Sequence, residues 1–442
     1  MKHDSLKYLP LSDSEKTDIL KKLGRESVED LFRSIPDSVK KQTSASLADP
    51  LSEIEVRDIY RDSIASNGIR RSFLGGAGHT HYIPSIIDPI VSRGEFLTAY
   101  TPYQPEVSQG TLQAMFEFQS MMADMMGVDV SNASLYDGST AMLEAVLMAV
   151  RITKKRRIYF AKSIHPEYLK TMQTYADTDV FDYGMIDTAK DGTIKMDELS
   201  SLKDDCAALV IQSPNYFGVI EQIKKIKTSL PPKVLLITVV TEGLSLAYLR
   251  APGKEGADIV CGEAQSFGVP LSFGGPWLGF IGTSIAHVRN MPGRLVGETK
   301  DMDGKRAFVV TLAAREQHIR REKATSNICT NQGLMTLRAA IYLSVMGKMG
   351  VRRAAERSSK FAALGRDLLK DSKIKFPYSA PYFNEFVIEL PVSAEKVFDS
   401  CVSSAGIAPG TIVGEKSLLC AFDETMTPAV VKTWAKTLLE AI

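Results

Sequence analysis

One stretch of the chain, residues 257–280, has the local features of a covalent cofactor site but lacks the residue that would form the bond. A buried strand around Val260 runs into a polar turn and then into a loop rich in glycine and proline, Gly268 to Pro276. A lysine on such a turn is partly desolvated and can form a Schiff base with an aldehyde such as pyridoxal phosphate (PLP), while the glycines admit the cofactor. The candidate position holds Gln265, whose amide nitrogen is delocalised into its carbonyl and forms no imine. If the architecture is that of a PLP enzyme, this chain cannot anchor the cofactor covalently.

A candidate phosphate-binding turn lies at Tyr136 to Thr140, where a strand, a tight turn and two small hydroxyl residues precede a helix. Free backbone N–H groups and the helix dipole bind phosphate at a helix N-terminus, and Gly138, Ser139 and Thr140 would provide them here. A plain strand-to-helix turn with a serine cap explains the same residues and is the commoner reason for such a pentapeptide alone. The turn is therefore a cofactor-binding candidate only in combination with other features.

A second turn, Gln212 to Gly218, follows a buried strand, and the ligands of open α/β sheets bind beyond the carboxyl ends of strands. Asn215 or Tyr216 at this place could hydrogen-bond a ring oxygen of a cofactor. A simple proline–asparagine turn explains the residues equally well, so both interpretations stay open.

Two tyrosines and a glutamine are crowded between prolines in the segment 98–105. Such a loop is stiff and positions its side chains at little cost in entropy. We expect Tyr100, Tyr103 and Gln104 to belong to a binding site, in preference to the alternative that they only pack within the loop.

The charged segment 315–323 is by default a solvated helix face with ion pairs between successive turns. Arginine binds carboxylates and phosphates through two parallel hydrogen bonds, but adjacent arginines point in different directions on a helix. At most one of them, with Arg320 as the candidate, would therefore face a site. His79 and His81 have a spacing that suits a metal ion, but no further ligand lies nearby in the sequence, so no metal site is predicted.

The composition describes an enzyme-sized globular protein and argues against several classes of partner. The 442 residues carry 53 Lys and Arg against 52 Asp and Glu, a net charge of +1, which gives no attraction for nucleic acid. The apolar runs are strand-length, well short of the about 20 residues that span a membrane. Five scattered cysteines without a CxxC pair indicate reduced thiols, and the polar first 16 residues predict no targeting signal, so we expect a cytoplasmic location.

The elements that would position these residues fall into three predicted domains. Residues 1–70 are predicted to form a helical arm, with capping boxes that begin at Ser12 and Ser52. Residues 71–326 alternate short, continuously apolar strands with helices, the pattern of a mostly parallel, doubly wound α/β sheet covered on both faces. Residues 327–442 are predicted to form a connector helix and a small α+β C-terminal lobe.

The strands of the central domain are predicted from their apolar runs. They are expected at Arg157–Phe160, Val180–Tyr183, Ala207–Gln212, Lys233–Val240, Ala257–Cys261 and Leu278–Gly282. In the tail, strands are expected around Phe386 and over Leu418–Phe422, and Thr427 is expected to cap the last helix with Pro428 in its first position.

Taken together, these segments resemble one family closely: the P-protein of the glycine cleavage system in its split form, and specifically the first, alpha, subunit. The resemblance rests on TAYTPYQPEVSQGTLQAMFEFQ (98–119), SLYDGSTAMLEA (134–145), QSPNYFGVIE (212–221), REQHIRREKATSNICTNQG (315–333) and the opening segment. It covers essentially the whole chain and implies the aspartate-aminotransferase-like fold of PLP enzymes, fold type I. Members of the second subunit carry a lysine followed by Thr-Phe and by a glycine-rich loop that ends in proline. That pattern aligns with the segment from Gln265 to Pro276.

The resemblance implies that PLP is bound covalently by a separate partner, the second P-protein subunit. Together the subunits would decarboxylate glycine and transfer the aminomethyl group to the lipoyl arm of H-protein, in a system that also contains T- and L-proteins. Tyr100, Tyr103 and Gln104 are then expected to help shape the partner's glycine pocket, with Arg320 as a less central carboxylate contact. The candidate cradle residues named above would be vestiges of a cofactor site.

Two alternatives remain open from the sequence. One is an autonomous PLP enzyme that uses another lysine, such as Lys254 or Lys323, although Lys254 lies in a Pro-Gly loop ahead of the strand, a poor place for an imine. The other is a cofactor-free scaffold that only stabilises or regulates a PLP-bearing partner.

Overall fold

The computed structural model describes residues 11–42, 48–76, 78–97, 100–312 and 317–442. It divides into two compact units, one that ends at Asn67 and one that begins at Gly68. The helices are α1 Asp13–Lys22, α2 Asp37–Gln42, α3 Glu53–Ser66, α4 Ile87–Val91, α5 Gly94–Leu97, α6 Gln109–Met126, α7 Gly138–Thr153, α8 Pro166–Ala176, α9 Ile223–Ser229, α10 Gln317–Arg320, α11 Gly333–Leu369, α12 Ala394–Ala405 and α13 Pro428–Glu440. The strands are β1 Arg71–Ser72, β2 Val130–Ser131, β3 Arg157–Ala161, β4 Asp182–Ile186, β5 Cys206–Gln212, β6 Leu235–Val240, β7 Ile259–Glu263, β8 Gly279–Thr283, β9 Leu295–Lys300, β10 Arg306–Thr311, β11 Glu385–Glu389, β12 Ile407–Ala408, β13 Thr411–Gly414 and β14 Ser417–Ala421.

The first unit contains α1, α2 and α3 with a 3-10 turn at Glu29–Phe32. The capping boxes predicted at Ser12 and Ser52 are confirmed, because each serine side chain accepts a hydrogen bond from a backbone N–H three residues on and the glutamate there accepts one in return. No residue of α1 or α3 is buried. These helices are therefore stabilised by capping and local ion pairs rather than by a packed core of their own.

The second unit is built on a sheet of seven strands among the described residues, in the order β2-β8-β7-β6-β5-β3-β4. Strands β4, β3, β5, β6 and β7 run parallel, whereas β8 and then β2 add antiparallel at one edge. Every residue of β5, β7 and β8 is buried, which explains why these strands are mainly apolar and do not alternate between apolar and polar residues. The prediction of a mostly parallel α/β sheet is confirmed.

The polar turns of the sequence follow the carboxyl ends of these parallel strands. β5 ends at Gln212, β6 at Val240 and β7 at Glu263. Helix α7, which begins at Gly138, packs on the same sheet. Carboxyl ends of neighbouring parallel strands meet at one edge of a sheet, which is where ligands of such folds bind. The fold therefore brings the candidate cofactor residues to one place.

A smaller lobe is formed by the end of α11, by α12 and α13, and by the antiparallel sheet β11-β14-β13. Its core is aromatic, with the rings of Phe73, Phe422 and Trp434 between 5.0 and 5.5 Å apart, centroid to centroid. Phe73 directly follows β1, which pairs in parallel with β12, so residues from early in the chain complete this lobe. The last helix begins as predicted, with Thr427 as its cap and Pro428 in first position.

The long helix α11 joins the two cores, since Tyr342 belongs to the core under the large sheet and Phe361 to the core of the smaller lobe. It kinks at Gly347, whose φ of 61° and ψ of 172° are not helical. Among the described residues, α11 alone is long and apolar enough to cross a membrane, yet 44% of its most apolar window is buried inside the protein. Core helices of globular proteins pass the same test, so this is weak evidence for a membrane span.

Candidate functional site

Gln265 lies two residues after the end of β7, and its side-chain amide is hydrogen-bonded within the protein itself. The residue is 3% exposed, and its Nε2 donates to the carbonyl oxygens of Val269 at 2.8 Å and His79 at 3.2 Å. Its backbone N–H donates to Glu263 Oε1 at 3.0 Å. Both hydrogens of the Gln265 amide thus form hydrogen bonds within the chain, at the position where a PLP enzyme would have its imine-forming lysine.

Carboxylates of the chain occupy the N-terminus of α7. The Gly138 N–H donates to Glu263 Oε2 at 2.9 Å, and the Thr140 N–H donates to Asp137 Oδ1 at 2.7 Å. The Ser139 hydroxyl is bonded to Thr171 Oγ1 at 2.8 Å. A phosphate at this helix start would meet negative charge and donors that are already engaged, so the turn acts as a helix cap.

The buried carboxyl of Glu263 closes the turn from the sheet side. Burial raises the pKa of Glu263 to about 7, against the opposing effect of backbone N–H donors from Leu278, Gly138 and Gln265. The hydroxyl of Tyr168 lies so close to Gly138 that any Cβ there would overlap it. The described residues at this turn therefore do not fit the phosphate of PLP.

Asn215 is buried and its hydrogen-bonding capacity is used within its own turn. Its Nδ2 donates to the Gly192 carbonyl and to Glu221 Oε1, each at 2.9 Å. Its Oδ1 accepts from the N–H groups of Phe217 at 3.0 Å and Val219 at 3.2 Å. The side chain fixes the turn after β5, and these four bonds leave it no donor for a cofactor ring.

A buried network of two histidines and three glutamates, which sequence reasoning missed, lies beside Gln265. His79 Nε2 is 3.0 Å from Glu385 Oε1, and the ring nitrogens of His81 lie 3.2 Å from Glu242 Oε2 and 3.0 Å from Glu424 Oε2. Burial alone would lower the pKa of His81, but the two carboxylates outweigh it and hold that pKa well above its usual range. Although these groups cluster, no set of such side chains among the described residues is arranged to hold a metal ion.

Gly76 lies close to side chains of the segments that follow β3 and β5. A Cβ on Gly76, whose φ is 113°, would lie 3.2 Å from the ring of Tyr216 and 3.6 Å from that of His165. The Gly76 N–H donates to Glu385 Oε1 at 2.8 Å. The backbone at Gly76 therefore lies against Tyr216, one of the two residues that the sequence offers as a partner for a cofactor ring.

The tyrosine-rich loop lies in a different environment from Gln265. Tyr100 is 83% exposed, and its hydroxyl lies 3.0 Å from Thr330 Oγ1. The hydroxyl of the half-exposed Tyr103 accepts a hydrogen bond from Arg294 at 3.3 Å. Tyr100 and Arg294 line one cavity of about 270 Å³ together with Thr330 and Asn331. Tyr100, which lines the cavity with Arg294, and Tyr103, which is hydrogen-bonded to Arg294, therefore lie near the same arginine. Sequence reasoning did not single out Arg294.

The two remaining candidates of the predicted site are exposed. Gln104 precedes the 3-10 turn Pro105–Val107, and Arg320 ends α10. The first two residues of the predicted loop, 98–99, and the first two of the charged segment, 315–316, lie outside the described residues. Arg320 is not among the residues that line the cavity at Arg294.

The alternative Schiff-base lysines are poorly placed. Lys254 and Lys323 are both exposed, and neither follows the carboxyl end of a parallel strand. An exposed amine stays hydrated and protonated, whereas a Schiff-base lysine is activated by burial or by neighbouring charge. These positions give no support to an autonomous PLP enzyme.

Comparisons with known proteins agree with the fold and with the resemblance. The family model of the glycine cleavage system P-protein matches residues 6–438. A probable glycine dehydrogenase (decarboxylating) subunit 1 from Bacillus cytotoxicus is 41% identical over 437 residues, which cover 97% of each chain. The crystal structure of an inhibitor-bound glycine decarboxylase (P-protein) superposes with a TM-score of 0.90 and 37% identity, covering 99% of this chain and 100% of that one.

A more distant structure shows the wider fold class. An aspartate aminotransferase from Thermus thermophilus superposes with a TM-score of 0.61 at 12% identity, covering 84% of this chain and 100% of that one. At that identity the likeness concerns the fold alone, and it confirms the predicted aspartate-aminotransferase-like architecture of PLP fold type I. With a family model and relatives that span nearly its whole length, the chain belongs to the P-protein family of the glycine cleavage system.

Proposed function

We propose that this chain is the cofactor-free subunit of a heteromeric glycine decarboxylase, and that its partner, the second P-protein subunit, holds PLP covalently. The observation that carries the proposal is Gln265, buried and hydrogen-bonded at the end of β7 where the anchoring lysine would stand. Support comes from the carboxylates of Glu263 and Asp137, which engage the α7 N–H groups that a phosphate would need. Relatives that carry the name subunit 1 support a second subunit.

The overall reaction that we assign to the heteromer is balanced without a nicotinamide. The bond between the carboxyl carbon and the α-carbon of glycine breaks, carbon dioxide leaves, and the electron pair stays on the α-carbon. That carbon forms a bond to one sulfur of the lipoyl disulfide on H-protein, the S–S bond breaks, and the other sulfur takes a proton. PLP on the partner supplies the electron sink for the first step.

The part of this chain in that reaction is to complete the partner's site. We propose that Tyr100, Tyr103 and Gln104 reach the glycine pocket of the second subunit, since a stiff loop with exposed phenols suits a contact across an interface. Arg320 was the carboxylate contact expected from the sequence and stays a candidate. We also propose a cytoplasmic location together with the T- and L-proteins, in keeping with the five free cysteines.

The decisive experiment measures glycine–bicarbonate exchange by each subunit alone and by the mixture. We expect no exchange and no imine absorption from this chain, and activity once the second subunit is added. Borohydride reduction of the active mixture should place the phosphopyridoxyl adduct on the partner. An adduct on this chain would contradict the proposal. The alternative of a mere scaffold requires the second subunit to be fully active alone, which the same assay decides.

A further inference from the structure

Arg294, a buried arginine that forms no ion pair with any described residue, lies at the cavity beside the tyrosine-rich loop. Arg294 is 5% exposed, its Nη2 donates to the Tyr103 hydroxyl at 3.3 Å, and its guanidinium lies over the Tyr103 ring, 5.3 Å from the centroid. Its Nε is buried without a hydrogen-bond partner, and none of the ion pairs formed by the described residues includes it. Buried charges in proteins are ordinarily paired, so an anionic ligand would balance the charge of Arg294.

Arg294 opens on a cavity of about 270 Å³ that suits a small ligand. The volume is a little below the roughly 300–1,000 Å³ of pockets that hold drug-sized molecules. Arg294 is the one charged residue among the described residues that line it, and three lining residues, Tyr100, Thr111 and Thr330, carry hydroxyl groups. The walls thus combine one positive charge and three hydroxyl groups with apolar surface from residues such as Met115 and Leu334.

We infer that this cavity is a carboxylate-binding subsite in which Arg294 pairs with the carboxylate of an amino-acid-sized ligand. Guanidinium binds a carboxylate through two parallel hydrogen bonds, and the single charge of a carboxylate matches the single cation here. The stacked and hydrogen-bonded Tyr103 is a positioning residue, because it fixes the plane of the guanidinium. The identification of the ligand as glycine rests on the proposed function, and Arg294 is then the carboxylate contact in this cavity, which Arg320 does not line.

The test uses the heteromer reconstituted with the second subunit and two small probes of equal shape, acetate and acetamide, as inhibitors of glycine–bicarbonate exchange. We expect the wild type to bind acetate more tightly than acetamide. Arg294→Met should weaken acetate about tenfold or more and leave acetamide within about twofold, since a charge-assisted bond is lost. Arg294→Lys should restore part of the preference. Arg250→Met removes the same charge from an exposed residue beside another cavity and should change neither probe.

Each outcome separates the subsite from the proposed function. Equal weakening of acetate and acetamide in Arg294→Met, or unchanged acetate binding, overturns the subsite even when the wild-type heteromer is active. An inactive wild-type heteromer contradicts the proposed function instead. The subsite is then tested on the full chain alone, where acetate must raise the melting temperature more than chloride or acetamide at equal ionic strength. The same measurement serves if Arg294→Met fails to fold, and the absence of any difference overturns the inference.

Discussion

The amide of Gln265 is bonded to two carbonyl groups, and its neighbours are as unsuited to PLP as the residue itself. Glu263 and Asp137 present carboxylates at the start of α7, and the backbone at Gly76 lies against Tyr216. A single substitution changes one of these features and leaves the others. The position therefore differs from a PLP site in several independent ways.

Gln265→Lys should for that reason create neither a Schiff base nor glycine exchange in the isolated chain. The introduced amine would gain a suitable place after β7, but the phosphate would still meet the carboxylates of Glu263 and Asp137. The measurement is absorption and borohydride trapping with added PLP, with the second subunit as the positive control. A phosphopyridoxyl adduct at position 265 would show that the surroundings still accept the cofactor.

His81 should make the stability of the chain depend on pH. Its pKa in the folded state is raised by Glu242 and Glu424 in spite of burial, so its contribution is complete below about pH 6.5, the value for an unperturbed histidine, and is lost as pH rises through the folded value. The pKa of Glu242 is lowered, since His81 and His79 outweigh burial, so its own contribution persists above about pH 4.5.

We expect His81→Gln to lower the free energy of unfolding by about 3–5 kcal/mol near pH 6, the cost of breaking a buried ion pair. The difference from the wild type should shrink towards pH 9. Urea unfolding at both pH values checks this, with His287→Gln as a control outside the network. A difference that stays constant or grows with pH would refute the assignment of a protonated His81. The other titratable groups that face His81 are His79, which is itself paired with Glu385, and Asp423.

Tyr100→Phe and Tyr103→Phe should each lower kcat/KM for glycine in the reconstituted heteromer. Loss of a hydroxyl that bonds a charged group costs about 1.5–3 kcal/mol, which corresponds to about 10–150-fold. Tyr175→Phe removes the hydroxyl of another exposed tyrosine, on α8, and should have no effect. If both loop variants assemble and turn over glycine normally, the two tyrosines have only a packing role.

The elements that could be predicted from the sequence are those whose burial requires a long run of apolar residues next to one another in the chain. Strand β5 is buried at every position, and its predicted range differs from the observed Cys206–Gln212 by one residue. β4 was predicted two residues too early, because Val180 and Phe181 are apolar, although pairing with β3 begins at Asp182. The two-residue pair β1 and β12 joins positions 71 and 407, and no local pattern announces a contact between such distant segments.

The same limit of distance explains which parts of the candidate site were found. Gln265 stands in a recognisable strand-and-loop context, so its position could be predicted from neighbouring residues. The partners of His81 are 161 and 343 residues away along the chain, so the network exists only after folding. Arg294 looks like any surface arginine in the sequence, and its burial beside Tyr103 depends on a contact 191 residues away.

Helix α3 has an exposed apolar surface that suits contact with another protein. Val56, Ile59, Tyr60 and Ile64 recur at helical spacing, and all four are exposed, Tyr60 by 66% and Ile64 by 65%. Apolar stripes of this kind mark protein interfaces. We therefore expect α3 to bind the second P-protein subunit.

Ile59→Asp combined with Tyr60→Asp should leave the chain folded but prevent assembly with the second subunit. Both side chains are already in contact with solvent, so the melting temperature should change little, whereas buried charges at an interface without partners are costly. Gel filtration of the mixed subunits measures assembly. Asp62→Lys, which alters charge on another face of α3, is the control. Normal co-elution of the double variant with the second subunit would show that α3 does not bind that subunit.

At the scale of the whole molecule, the buried residues divide the chain unevenly. All three apolar cores are formed by residues from Phe73 onward, among the described parts of the chain, and α11 spans the two largest. The unit that ends at Asn67 contributes none of these core residues. Folding and assembly should therefore depend on different parts of the chain.

A chain that begins at Gly68 should fold with nearly the stability of the full chain and fail to assemble. The start point keeps Arg70, whose N–H bonds the Gly406 carbonyl at 2.7 Å, and the strand pair β1–β12 that closes the smaller lobe. Since the described residues that are removed, 11–42 and 48–67, contribute no side chain to the apolar cores, the free energy of unfolding should fall by less than about 1–2 kcal/mol, whereas loss of a core element costs several. Urea unfolding and gel filtration with the second subunit give the two readings. A truncated chain that is unfolded, or one that still assembles into an active heteromer, would show that the first unit supports the fold rather than the partnership.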